Sequence, residues 1–127
     1  MTKQRSAKAE MSIPISKTTA DHYLWAKVCD GWRLANSQSL SVIEEKVPAG
    51  ASEDRHYHEH ARQFFYILSG VATFEIDGKE FLIPANSGIE VAPGLRHKFM
   101  NRSSDDVCFL VISAPSIQGD RINVENH

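Results

Sequence analysis

GASEDRHYHEHARQFFYILSG, residues 50–70, is the stretch on which the reading of this chain turns. His56 and His58 stand two residues apart, and in an extended segment such residues point to the same face. QFFYILS (63–69) is a β-like run closed by Gly70. A turn over residues 59–62 returns its first residue, Gln63, beside His56 and His58. On that run Gln63, Phe65 and Ile67 share one face, and Phe64, Tyr66 and Leu68 share the other. An H-x-H pair is weak evidence by itself in a chain with six histidines.

The flanking sequence has the same character. SLSVIEEKV (39–47) is rich in strand formers and is followed by the turn signal Pro48-Ala49-Gly50. Val71–Ile76 alternates, and Asp77-Gly78 predicts a two-residue hairpin turn with two positive φ angles before Lys79–Ile83 returns. Gly88–Ala92, Arg96–Asn101 and Val107–Ser113 are further strands, with Pro93-Gly94 a further turn. Strands at roughly 8–12 residue spacing, each bounded by Gly, Pro, Asn or Asp, predict an all-β sandwich or barrel. No apolar pattern of helical period is sustained between residues 39 and 114. On the strand after Pro93-Gly94, His97 shares a face with Phe99 and Asn101. Three imidazoles and one oxygen donor suit a divalent transition metal.

A length of 127 residues fits one domain, and a net charge of -2 without a basic face gives no footing for nucleic acid. The longest apolar run, Val107 to Ile112, is far too short to span a membrane. Residues 1–11 lack the apolar segment of a signal peptide, so a cytoplasmic location with Cys29 and Cys108 reduced is expected. Cys108 sits in an apolar strand pattern and reads as core. The expected partition is a disordered leader (1–12), an N-terminal strand segment packed against a dimer partner (13–38), a barrel (39–114) and a C-terminal tail (115–127). Trp25, Val28 and Trp32 would anchor the second of these. Glu44, Glu45 and Lys46 read as a solvated strand edge or a dimer rim, and Arg62 and Arg96 as surface residues.

Gly50-x5-His56-x-His58-x4-Gln63-x6-Gly70 resembles the first motif of the cupin superfamily. Gly88-x4-Pro93-Gly94-x2-His97-x3-Asn101 resembles the second. The resemblance covers residues 39–114 and implies a double-stranded β-helix, a jelly-roll barrel of six to eight strands. It also implies a site in the barrel mouth and, commonly, a homodimer. His56, His58, Gln63 and His97 would be the ligands of an Fe, Mn, Ni or Zn ion. Alternatively the histidines contact a small-molecule ligand directly and no metal binds. Phe65, Phe74 and Phe99 read as barrel core that makes an apolar pocket wall, and His60 as a loop residue, a further ligand or a proton shuttle.

Two departures from the family pattern stand out. The second motif is one residue shorter between Gly88 and Pro93. The first motif usually has Glu where this chain has Gln63, so the ligand set donates no negative charge. A bound ion would keep its full charge and favour an anionic substrate. The fold hosts many activities, and three readings remain open. One is a metal-dependent oxygenase or isomerase of a small organic acid. The second is a non-catalytic sensor or carrier, and the third a metal-free sugar epimerase-like enzyme.

Overall fold

The computed structural model describes residues 12–117 and 119–124. The expected leader falls, over residues 1–11, outside them. The described residues form eleven strands: β1 (Asp21–Trp25), β2 (Cys29–Asn36), β3 (Ser41–Val47), β4 (His56–His58), β5 (Arg62–Ser69), β6 (Val71–Ile76), β7 (Lys79–Pro84), β8 (Gly88–Val91), β9 (His97–Met100), β10 (Val107–Ala114) and β11 (Arg121–Asn123). One sheet has the order β1-β2-β3-β10-β5-β8 and the other β11-β4-β9-β6-β7, with antiparallel pairing throughout. No helix among the described residues is long and apolar enough to cross a membrane.

Alternation along the strands fixes which side chains enter the core. On β10, Val107, Phe109, Val111 and Ser113 are buried and their neighbours are not. On β5, Gln63, Phe65 and Ile67 are buried while Arg62, Phe64 and Leu68 are exposed, the face division read from sequence. The inward aromatics pack as one stack. Phe99 and Phe109 lie 4.4 Å apart between ring centroids, Phe65 and Phe74 4.7 Å, and Phe74 and Phe99 5.3 Å. Each ring removed from water in this way contributes roughly 1.5–3 kcal/mol.

The turns behave as their residues require. Asp77 and Gly78 both have positive φ, +49° and +86°, as the hairpin reading expects. Gly70 joins β5 to β6 at φ +85°, and a Cβ there would lie 2.6 Å from the Asp106 carbonyl oxygen. Only glycine satisfies both demands.

Two expectations are corrected. β1 and β2 extend this chain's own sheet, with β2 pairing β3 from Asp30↔Lys46 to Asn36↔Ser41. For that reason β3 is not an edge, and Glu45 is not solvated. Its neighbours Glu44 and Lys46 face outward, within reach of Lys17 and Asp106 respectively, while Glu45 lines an internal cavity. The tail over 115–127 contributes a strand, because β11 pairs β4 from Arg121↔His58 to Asn123↔His56.

Gly70→Ala is expected to lose about 1–3 kcal/mol of stability through the left-handed backbone and the carbonyl clash. Urea unfolding checks this, and a midpoint equal to that of the unmodified protein would contradict it.

Candidate metal centre and cavity

β4 and β9 pair so that His56 and His97 are direct cross-strand partners. Their rings meet at 4.3 Å between centroids, and His58, on the same face of β4, stands 5.0 Å from His56. All three are buried, and each offers a ring nitrogen within 4.8 Å of the others'.

Backbone carbonyls set two of the ring orientations. His56 Nδ1 lies 2.9 Å from the Asp54 oxygen and His97 Nδ1 2.9 Å from the Leu95 oxygen. A carbonyl only accepts, so in both rings Nδ1 carries the hydrogen and Nε2 the lone pair. His97 Nε2 is buried with no hydrogen-bond partner among the described residues. Burial leaves the rings neutral. It holds His56 down to about 3 and His58 to about 4, with His97 adding to both shifts, and lowers His97 likewise. A neutral imidazole with a buried, unshared lone pair is the form that ligates a cation. These residues fit a divalent transition metal.

Gln63 reaches the same cavity from the opposite sheet. Its Nε2 donates to Ser113 Oγ at 3.1 Å, and its Oε1 is buried without a partner among the described residues. That assigns the free end of the amide to its oxygen.

The cavity holds about 180 Å³ and is lined by His56, His58 and Gln63 together with Phe65, Tyr23, Trp25, Glu45, Glu53 and Arg121. Phe74 and Phe99 are not on its wall. They are core behind Phe65, fully enclosed in the aromatic stack. His60 is also away from it, on the exposed loop between β4 and β5. Its backbone N–H donates to the Asp120 carboxylate at 3.1 Å, as that of Ala61 does at 2.9 Å. Asp120 thereby holds the loop that separates His58 from Gln63. Burial raises the Asp120 pKa, but these two N–H groups outweigh it, and the carboxyl sits below its ordinary value.

Sequence reasoning did not find Tyr23, Glu45, Glu53, Asp120 or Arg121. No motif assigns them a role; Tyr23, Glu45, Asp120 and Arg121 reach the site through the pairings of β1, β2 and β11, and Glu53 through the segment that leads into β4. Parity along β3 was the one usable signal: Glu45 alternates with Ile43 and Val47, which are apolar. Glu53 Oε2 accepts the Phe99 N–H at 2.9 Å, and Glu53 Oε1 lies 3.8 Å from Arg121. Burial pushes Glu45 up to about 8, with Glu53 adding to the shift, and pushes Glu53 up to about 7 against the pull of Arg121.

A model of the family described as "Cupin domain" matches residues 43–113, more than half of the chain. The chain belongs to the cupin family. Among curated proteins, this cupin is 33% identical over 67 residues to the oxalate-binding protein of Thermotoga maritima, covering 53% of this chain and 55% of that one. It is 28% identical over 57 residues to polyketide synthase CurC of Streptomyces cyaneus, covering 45% and 37%. The matched segments thus span about half or less of those relatives' lengths. The structure resembles that of the polyketide cyclase RemF from Streptomyces resistomycificus, with a TM-score of 0.79 at 18% identity over 92% of this chain and 88% of that one. At that identity the likeness is one of fold.

The two kinds of buried group give opposite pH dependences in metal-free protein. The histidines take up protons more readily when unfolded, so their effect is loss of stability as pH falls below the ordinary histidine value of 6.5. The glutamates hold protons more tightly when folded, so theirs is loss of stability as pH rises from 4.5 towards 7 and 8. Between pH 6.5 and 8 only the glutamates act. Melting temperature in chelator is expected to fall across that window, and Glu45→Gln to flatten the fall. A Glu45→Gln profile parallel to that of the unmodified protein would contradict this.

Proposed function

We propose that this cupin is a metal-dependent enzyme, an isomerase acting on a small organic acid, with the ion held by His56, His58, His97 and the Gln63 oxygen. The observation that carries the reading is the cluster of three buried imidazoles, with His97 Nε2 and the Gln63 amide oxygen buried and unpartnered among the described residues. An Fe, Mn, Ni or Zn ion bound there supplies Lewis acidity towards a carboxylate or carbonyl oxygen.

The chain's own residues do the rest. Leu95 and Asp54 carbonyls hold the rings in register. Gln63 contributes no charge, so the centre stays cationic and draws an anion, and Arg121 adds a positive charge at the wall. Phe65, Ile43, Val111 and Trp25 give the cavity an apolar lining that strengthens these attractions. A volume of about 180 Å³ accommodates a ligand of about one ring. Two half-buried carboxyls and a phenol on the same wall favour proton transfer over oxygen chemistry. The name of the Thermotoga maritima relative supports a small organic acid as ligand. It also supports a second reading, a non-catalytic carrier of such an acid in the same cavity.

A homodimer fits the outer face of the six-stranded sheet. Phe64 faces Ile112, which faces Val42, and Tyr66 faces Leu110, giving an apolar ladder across three strands. Phe64 and Leu68 remain 39% exposed in the single chain. We propose a second copy as the occupant of this face.

Elemental analysis of protein purified without tag or chelator is expected to find one transition-metal ion per chain. His56→Ala and His97→Ala are each expected to abolish it, and Gln63→Glu to tighten it at least ~10-fold by restoring a carboxylate donor. Metal-free protein that cannot be loaded would remove the reading.

A further inference from the structure

We propose that Glu45 is the proton-transferring residue of the cavity and that the substrate class is small 2-oxo acids. The inference rests on the metal-dependent reading above and deepens it.

Glu45 is placed by the sheet. It pairs with Phe109 on one side and Gly31 on the other, and Phe109 is fully buried, so Glu45 points inward with it. Tyr23 of β1 lies directly over Gly31: a Cβ there would fall 2.3 Å from the Tyr23 ring. The missing side chain at Gly31 lets the phenol reach Glu45, where it donates to Oε2 at 3.4 Å. The Arg33 guanidinium, 4.1 Å from the centroid of the same ring, holds it from the other side.

The pairing leaves Glu45 incomplete. Among the described residues no Lys or Arg forms an ion pair with it, and its other oxygen has no hydrogen-bond partner. Glu53 differs, since both of its oxygens are engaged, by the Phe99 N–H and by Arg121. A part-buried carboxyl with one weak partner is costly, and such groups concentrate at sites of chemistry. The charged and titratable groups around it are Tyr23 of β1, Glu53 before β4, His56 and His58 of β4, and Arg121 of β11.

For the ligand class, an ion held by neutral protein donors would favour an anion that offers a carboxylate with a carbonyl beside it. The carbon next to that carbonyl carries an acidic C–H. Glu45, as carboxylate, takes this proton. The C–H electron pair becomes the new carbon–carbon double bond, and the carbonyl π pair moves onto its oxygen. Glu45, now a carboxylic acid, returns the proton to the same carbon, or a shifted double bond receives it elsewhere. Substrate and product then have the same atoms and no electrons are lost.

The test uses pyruvate and the full chain loaded with cobalt(II). Pyruvate binding is read from the cobalt absorption spectrum, and exchange of its methyl hydrogens in heavy water by proton NMR. Unmodified protein is expected to bind pyruvate and accelerate exchange. Glu45→Gln is expected to bind pyruvate equally well, which also shows that it is folded, and to exchange about 100-fold more slowly. Glu45→Asp is expected to recover part of the rate. Equal exchange by Glu45→Gln overturns the role of Glu45 and leaves the metal site standing. Loaded protein whose spectrum does not respond to pyruvate overturns the substrate class. Failure to load cobalt removes the metal-dependent reading itself.

Discussion

Three imidazole rings facing one another in the barrel mouth are the constraint around which this molecule is arranged. Each ring is buried and neutral, so protonation cannot satisfy the inward lone pairs. Water or protein donors would satisfy them in an ordinary core. Here His97 Nε2 has no such partner among the described residues, and the Asp54 and Leu95 carbonyls hold the two facing rings in the orientation that keeps Nε2 inward. Below the mouth, the aromatic stack and the two sheets form the buried core on which these rings rest.

The geometry of the mouth comes from strand pairing. His56 and His97 meet because β4 and β9 are paired at that rung. Gln63 faces them across the barrel because its strand lies in the other sheet, with Ser113 holding its amide nitrogen. Asp120 locks the loop between the two, and β11 carries Arg121 to the wall. The N-terminal hairpin brings Tyr23 and Trp25 over the same space. The site is therefore assembled from both ends of the described chain and not from the central motifs alone.

That division explains what was legible beforehand. Period-two alternation and turn residues revealed β5 to β10, since each rests on a local rule: Asp77-Gly78 has the two positive φ angles its hairpin demands. His56, His58, Gln63 and His97 were legible as a set because parity and spacing place them. Glu45 was misread as solvated because three charged residues in a row look like a surface. Nothing local in the sequence reveals that β2 covers β3 and turns Glu45 into a cavity wall. His60 stands on the exposed loop after β4, the first of the readings its sequence position offered. Phe74 and Phe99 lie on the inward face as alternation requires, but depth along the barrel, which parity does not encode, makes them core rather than wall.

Gln63 stands where the family's first motif usually carries a carboxylate, while Glu45 and Glu53 line the cavity wall. An ion in this mouth would see neutral donors first and carboxyls only beyond them, which leaves its charge for an incoming anion. X-ray absorption at the metal edge of the cobalt-loaded protein tests this account most directly. The expected spectrum has the scattering pattern of three imidazoles with the remaining donors oxygen. A spectrum with fewer than three imidazoles, or with none, would contradict it.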